Sequence, residues 1–215
     1  MKNIIFIAPP AAGKGTQSDM LKTKFNYYHI STGDMLREAI ASGSELGKSI
    51  KSIIDNGELV TDDIMIDLIK NKLNEIGDKP FILDGFPRTL NQASALGEML
   101  NNLNITNYAT IYLKLDEEIA AKRILGRLTC SCGKSYNIYE ENLKPQVEGI
   151  CDNCGKELEK RKDDNAESFK VRFKSFIDNF EPIMDYYKNE NKLHVVDVNR
   201  EVDEIFADIT EIIND

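Results

Sequence analysis

The sequence has no run of apolar residues that approaches the roughly 18 needed for a membrane-spanning helix. Its first apolar stretch, Ile4 to Ile7, is soon followed by Pro9, before it could reach the length of a signal-peptide core. We therefore expect a cytoplasmic protein with no membrane contact. With 215 residues, 41% of them hydrophobic, the chain can form one full core and still spare residues for insertions.

Positive charge is also scarce. The 27 lysines and arginines are outnumbered by 36 acidic residues, and the net charge is −9. Such a chain repels a nucleic-acid backbone unless a local basic cleft overrides the overall field. We expect no nucleic-acid partner. The sequence shows no internal repeats or low-complexity tracts, and we expect a monomer built around one domain.

The chain offers no Ser-His-Asp or Cys-His arrangement for covalent catalysis. Its two histidines, His29 and His194, fall within or beside candidate strands. Packing in the core or at a strand end is the interpretation we favour for both.

A short apolar strand leads directly into a loop of small residues that ends in Gly13-Lys14. Backbone N–H groups of such a loop, the helix that follows it and the lysine ammonium together bind polyphosphate. The usual pattern has glycine where Ala8 stands, and its kinase variant has another where Ala11 stands. A Cβ at positive φ costs roughly 1–2 kcal/mol, so either both alanines adopt negative φ or the loop binds phosphate less well.

Short apolar runs alternate along the chain with segments of helical spacing, which is typical of a parallel sheet covered by helices on both faces. We predict a three-layer α/β/α fold of the P-loop type, with a parallel sheet of about five strands. The candidate strands are Ile4 to Ile7, Tyr28 to Ile30, Phe81 to Leu83, Ala109 to Leu115 and Leu193 to Val196.

Two helices are predicted in more detail. The first begins after a Thr61 cap, with Ile64, Leu68, Leu73 and Ile76 on one face. The second is long, and we expect Pro182 to kink it. Its predicted apolar face consists of Phe169, Phe173, Phe176, Ile177, Phe180, Met184 and Tyr187.

Two segments interrupt the alternation and are predicted to be insertions outside the main core. Residues 31–60 contain two short helical stretches punctuated by glycine, and residues 126–164 are polar and contain every cysteine. The core domain would then comprise residues 1–30, 61–125 and 165–215.

A carboxylate, Asp84, follows the strand Phe81 to Leu83, at the end of the strand where open parallel sheets bind ligands. Asp84 could hold Mg²⁺ through water, and Arg88 could grip a phosphate. An Asp-Gly turn beside a surface arginine is the alternative, which the presence of Lys14 argues against.

Five further arginines flank the two insertions, and scattered surface charge is the alternative for any one of them. In so acidic a chain, the group indicates a cage for phosphoryl charge. Its members are Arg37, Arg123, Arg127, Arg161 and Arg172.

Four segments, in order, resemble the motifs of the adenylate kinase family: residues 31–37, 57–62, 84–89 with Gln92, and 161–164. The resemblance covers essentially the whole chain. It implies direct in-line phosphoryl transfer, MgATP + AMP ⇌ 2 ADP, with residues 31–60 as an AMP-binding flap and 126–164 as the long form of an ATP lid.

The resemblance also assigns roles residue by residue. Gln92 would read the adenine edge of AMP, while Arg37 and Arg88 would hold its phosphate. The implied AMP site is Thr32, Arg37, Glu58, Leu59, Val60, Gly85, Arg88, Gln92, Arg161 and Arg172. The implied ATP site is Ala11, Ala12, Gly13, Lys14, Gly15, Thr16, Arg123, Arg127, Ser135, Tyr136 and Arg200. The implied catalytic residues are Lys14, Arg88, Arg123, Arg161 and Arg172.

Four cysteines in two close pairs, in a reducing compartment, favour metal ligation over disulfides. They resemble the zinc-bearing lids of the family, although the first pair has one intervening residue where those lids usually have two. Idle thiols are the alternative to a structural Zn²⁺. The residues are Cys130, Cys132, Cys151 and Cys154.

Three other functions stay open at this point. A kinase acting on UMP or CMP is disfavoured by Thr32, where the pyrimidine enzymes generally carry alanine. A nucleotide-binding protein with weakened activity is suggested by Ala8 and Ala11. A zinc-ribbon nucleic-acid binder is disfavoured because glutamates interleave with the lysines around the cysteines.

Overall fold

A computed structural model describes residues 1–55 and 60–215 of the chain. Five parallel strands form its central sheet, in the order β2-β3-β1-β4-β7. The two remaining strands form a small antiparallel sheet of their own. The strands are β1 Asn3–Ile7, β2 Tyr28–Ser31, β3 Phe81–Asp84, β4 Tyr108–Lys114, β5 Arg127–Thr129, β6 Ser135–Asn137 and β7 Leu193–Asp197.

Helices cover both faces of the central sheet. Alternate residues of β1 belong to different apolar clusters, with Ile5 and Ile7 in one and Ile4 and Phe6 in the other, as the two-residue period of a strand requires. The predicted three-layer α/β/α fold is confirmed. The helices are α1 Lys14–Phe25, α2 Thr32–Ala41, α3 Glu45–Asp55, α4 Asp62–Ile76, α5 Leu90–Asn102, α6 Glu117–Leu125, α7 Ala166–Asn189 and α8 Val202–Asn214, with a 3₁₀ turn at Glu141–Leu143.

All five predicted core strands are present. The face assigned to α4 is buried as predicted at Leu73 and Ile76, but its first half was wrong. The buried residues of this helix begin with Met65 and Ile69, whereas Ile64 and Leu68 are half-buried beside the same cluster. Thr61 stands at the N-cap, but its side chain makes no capping hydrogen bond. Apolar residues surround more than one face of α4, so spacing alone could not select the buried one.

Helix α7 contributes to both apolar clusters. Phe169 and Phe173 pack on one side of the molecule, and Met184 and Tyr187 pack on the other. Ile177 was wrongly placed in the apolar face, since it is 53% exposed. Pro182 lies inside the helix, which continues to Asn189.

The two predicted insertions differ in how they pack. Leu36 and Ile50, from residues 31–55, join the same buried cluster as α4 and α5. Residues 126–164 instead have a small cluster of their own, centred on Cys130, Tyr136 and Cys151. Within the described part of the chain, no helix combines the length and apolarity that crossing a membrane requires.

Candidate functional site

A cleft of about 1470 Å³ opens at the carboxyl ends of β2 and β3, beside the loop that follows β1. Every arginine of the sequence lines it, although these residues come from seven separate helices, strands and loops. Such convergence rules out scattered surface charge as the explanation for them. The arginines are Arg37, Arg88, Arg123, Arg127, Arg161, Arg172 and Arg200.

The loop between β1 and α1 forms one wall of the cleft. Gly13 has φ 85° and precedes α1 as its N-cap without a capping side chain, so the first N–H groups of the helix remain open to an anion. Ala11 has φ 62°. The alternative in which both alanines adopt negative φ is therefore wrong, and Ala11 holds a conformation that costs roughly 1–2 kcal/mol for a residue with a Cβ. All six predicted loop residues, Ala11 to Thr16, line the cleft.

The Lys14 ammonium lies at the base of the cleft. Its Nζ is 3.5 Å from the Pro9 carbonyl oxygen and 3.9 Å from Oδ1 of Asp84. Burial lowers the pKa of Lys14 to about 8, and the positive charges of Arg88 and Arg172 act in the same direction, whereas Asp84 opposes them. A bound polyanion would stabilise the protonated form of Lys14 and raise its pKa again.

Asp84 ends β3 and faces two basic side chains. Its Oδ2 lies 3.4 Å from Nε2 of His29, while Oδ1 faces Lys14. Burial would raise the pKa of Asp84, but contact with His29 and the charge of Lys14 outweigh it and lower the pKa below its ordinary value. The carboxylate is thus ionised, as a ligand of a hydrated Mg²⁺ must be.

His29 was expected only to pack, yet it lines the cleft beside Asp84. The strand pairing contains the signal that could have revealed it. Because β2 runs parallel to β3, with Ser31 opposite Asp84, side chains near the end of β2 must lie close to that carboxylate.

Thr32, Gly85 and Arg88 meet where β3 turns into the next helix. The Thr32 hydroxyl donates to the Asp84 carbonyl at 3.2 Å, and Arg88 Nε donates to the Gly85 carbonyl at 2.7 Å. Gly85 has φ +86°, and a Cβ there would lie 2.4 Å from Thr32 Oγ1. Only glycine lets the backbone at this position lie so close to the Thr32 side chain.

Arg88 is a cation at neutral pH. Burial, with repulsion from Arg172, lowers its pKa to about 10, which is still well above 7.

Other residues predicted for the AMP site also line the cleft where the structure describes them. Arg37 is paired with Asp34 at 2.5 Å on α2. Val60 is buried. Gln92 is 2% exposed and is hydrogen-bonded through both ends of its amide. Glu58 and Leu59 lie outside the described residues.

The opposite wall of the cleft is anchored by carboxylates. Arg127 donates to both oxygens of Asp164 at 2.7 and 2.5 Å, and Arg172 donates to Asp163 at 3.0 Å. Burial lowers the pKa of Arg161 to about 10, and the nearby Arg127 adds to the effect. These like charges are held close together by a few acidic partners.

Arg123 and Arg200 complete that wall. Arg123 contacts Glu140 at 3.3 Å and the Val198 carbonyl at 3.3 Å. Arg200 is paired with Asp208. Both line the cleft beside Ser135.

Tyr136 lines the cleft but directs its hydroxyl elsewhere. The oxygen accepts a hydrogen bond from the Asp152 N–H at 2.8 Å and lies 3.5 Å from the Cys151 sulfur. The Tyr136 hydroxyl therefore contacts the cysteine cluster, and Ser135 is the better placed of the two residues to contact ATP in the implied ATP site.

The four cysteines converge. Their sulfur atoms all lie within 4.8 Å of one another, and the Cys130–Cys154 and Cys132–Cys151 sulfur pairs are 3.4 and 3.7 Å apart. These separations are far beyond the roughly 2.05 Å of a disulfide. They approach the roughly 3.8 Å between ligands of a tetrahedral zinc with Zn–S bonds of about 2.3 Å. The donor set fits Zn²⁺.

Comparison with known proteins agrees with this geometry. Residues 6–192 match the family model described as Adenylate kinase. The chain is 44% identical to an adenylate kinase of Fervidobacterium nodosum, over 98% of this chain and 97% of the relative. It is 43% identical to an adenylate kinase of Borrelia turicatae, over 98% of both chains, and 44% identical to one of Archaeoglobus fulgidus, over 98% and 97%.

The lowered pKa of Lys14 predicts how anion binding changes with pH. Below about pH 8 the side chain is a cation, and above it the unliganded protein increasingly holds a neutral amine. We expect inorganic tripolyphosphate to bind about tenfold more weakly at pH 9 than at pH 7, relative to a Lys14→Arg variant that stays charged at both values. Calorimetric titration measures this. Parallel pH profiles for the two proteins would contradict the prediction, since titration of the probe affects both equally.

Proposed function

The chain belongs to the adenylate kinase family and catalyses the reversible reaction ATP + AMP ⇌ 2 ADP, and from this premise we propose which of its residues perform each part. The observation that carries the assignment is the convergence of Lys14 and all seven arginines on one cleft. Scattered in sequence, these cations surround a space large enough for two nucleotides.

ATP is proposed to bind on the side of the cleft formed by the loop after β1. The N–H groups of residues 11–16 would surround its phosphates, with Lys14 on the outer ones. Arg123 and Arg127 would contact ATP from the opposite wall, and Ser135 and the backbone near Arg200 would lie beside its ribose and base.

AMP is proposed to bind where α2, α4 and α5 meet the carboxyl end of β3. Arg37 and Arg88 would hold its phosphate, and Thr32, Val60, Gly85 and Gln92 would surround the nucleoside. Glu58 and Leu59 are proposed to complete this site. Arg88 lies near the positive charges of Arg172 and Arg37, and this supports the assignment because an anionic partner relieves the repulsion among them.

The reaction needs no nucleophilic side chain, because a phosphate oxygen of AMP is itself the acceptor. Alignment of the two nucleotides and neutralisation of the charge on the transferred group supply the catalysis. Lys14, Arg88, Arg123, Arg161 and Arg172 are proposed to provide the positive charge. Mg²⁺, bound with ATP and held through water by Asp84, would neutralise part of the phosphate charge.

Residues 31–60 are proposed to act as an AMP-binding flap and residues 126–164 as an ATP lid. Their closure would exclude water, which otherwise competes with AMP for the phosphoryl group. The separate small cluster of residues 126–164 supports independent movement of the lid.

Cys130, Cys132, Cys151 and Cys154 are proposed to hold a structural Zn²⁺. Four thiolates this close together repel one another, and a divalent cation relieves that repulsion. The lid's own cluster contains only three buried residues among those described, so ligation would supply the folding energy that its core does not.

We further propose that the protein acts as a cytoplasmic monomer.

Lys14→Ala should reduce kcat by about 100-fold or more, because the charge that Lys14 supplies gains value as negative charge develops in the transition state. A coupled assay of ADP formation measures the effect, with Lys79→Ala, an exposed lysine outside the cleft, as the control. Turnover equal to that of the control would refute the role of Lys14. Negligible turnover by the unmodified enzyme would instead favour a binding protein weakened by its alanine-containing loop.

Arg88→Ala should raise the KM for AMP by about tenfold or more while changing the KM for ATP little, because a charge-assisted contact to the AMP phosphate is lost. Initial rates with each substrate varied in turn test this. An effect confined to ATP would contradict the assignment of Arg88.

Protein purified without added metal should contain about one zinc per chain by elemental analysis. Cys151→Ser should lose the metal, whereas Ser131→Ala, at an exposed neighbouring position, should keep it. Chelation should also increase amide hydrogen exchange in residues 127–159. A zinc content near zero with all thiols reduced would remove the proposal.

A further inference from the structure

Asp62, a residue outside the proposed AMP site, accepts three hydrogen bonds from the start of helix α5. Oδ2 accepts from Thr89 Oγ1 and from Asn91 Nδ2, each at 2.9 Å, and Oδ1 accepts from Gln92 Nε2 at 2.7 Å. Asp62 is the first residue of α4, so its carboxylate joins the beginnings of two helices. An ionised carboxylate can only accept, which matches three donors directed at it.

The amide of Gln92 is thereby held from both sides. The Arg88 N–H donates to Oε1 at 2.7 Å, and Nε2 donates to Asp62. A backbone N–H can only donate, as the carboxylate can only accept. If the amide turned over, its NH₂ would face the N–H and its oxygen would face the carboxylate. The two neighbours therefore impose one orientation on a side chain that is 2% exposed.

The remaining bonding capacity of Gln92 is one N–H on Nε2 and one lone pair on Oε1. Gln92 lines the cleft, where this pair forms a donor and an acceptor in fixed order. Adenine offers the complement, an exocyclic amino donor beside a ring-nitrogen acceptor. Hypoxanthine and guanine carry an acceptor oxygen at the same carbon, and would need the amide reversed.

We propose that Asp62 is a positioning residue that sets the orientation of the Gln92 amide and so makes the monophosphate site select a 6-aminopurine over a 6-oxopurine. The proposal rests on the proposed function, since it assumes that Gln92 faces the base of AMP. Asp62 itself does not touch the nucleotide.

The test measures kcat and KM with AMP and with IMP for the unmodified enzyme, Asp62→Leu, Asp63→Leu and Gln92→Leu. Asp62→Leu keeps nearly the shape of the side chain but removes both oxygens, so Gln92 Nε2 loses its acceptor. Asp63→Leu removes the same charge from the same turn of α4 at an exposed position, so it reproduces any effect of that charge on the helix dipole.

We expect Asp62→Leu to raise the KM for AMP by about tenfold, to leave the KM for ATP unchanged, and to raise the IMP-to-AMP ratio of kcat/KM. Asp63→Leu should change none of these. The ratio is taken within one preparation and does not depend on how much of the protein is folded, so a loss of stability cannot imitate the result.

Two outcomes would overturn the proposal, and they differ from each other. If Gln92→Leu raises the KM for AMP but Asp62→Leu leaves the IMP-to-AMP ratio unchanged, Asp62 does not orient the amide, and the AMP site stands. If Gln92→Leu leaves the KM for AMP unchanged, Gln92 does not contact the base, and the proposed AMP site fails together with the inference.

Discussion

The close packing of cations around one cleft is the feature that every other part of the site accommodates. Lys14, Arg88, Arg161 and Arg172 all have lowered pKa values, first because burial removes water from their charges. Each also lies near other guanidinium groups that act in the same direction. Lys14, Arg88 and Arg172 are held by carboxylate or carbonyl oxygens, and the cleft gains most from a ligand that brings several negative charges at once.

The tethers explain why the cleft sits where it does. Parallel strands place the loop after β1 and the carboxylate of Asp84 at one edge of the sheet, and the helix that follows the loop adds the positive end of its dipole. The opposite wall comes from the boundaries of residues 126–164, where Asp163 and Asp164 hold Arg172 and Arg127. The cations are thus divided between a rigid sheet edge and a segment with its own small core. That division suits a site that must close around substrates and open again.

Much of the fold could be predicted because strong local patterns produced it. The five core strands were found from short apolar runs, since strands buried on both faces need apolar residues throughout. Helix α8 was not predicted, although Ile205, Ile209 and Ile213 repeat at helical spacing and are buried. The buried face of α4 was predicted correctly at Leu73 and Ile76, but Ile64 and Leu68 were chosen in place of Met65 and Ile69. Apolar residues occupy several sides of this helix, so spacing alone does not select one. The phosphate loop was found, but the φ of Ala11 was not, since backbone conformation there is set by the loop's closure onto α1.

Local patterns in the sequence identified the five core strands, the cationic and carboxylate residues available for phosphate chemistry, and four cysteines suited to one metal. The resemblance to a family then related those residues to two nucleotides. Which residues meet became known only from the folded chain. It placed His29 beside Asp84, turned the Tyr136 hydroxyl toward Cys151, and brought Asp62 to the amide of Gln92. The physical reason is that hydrogen bonds and ion pairs act over a few ångströms, between groups that the chain separates by as many as 55 residues, and no local pattern records that proximity.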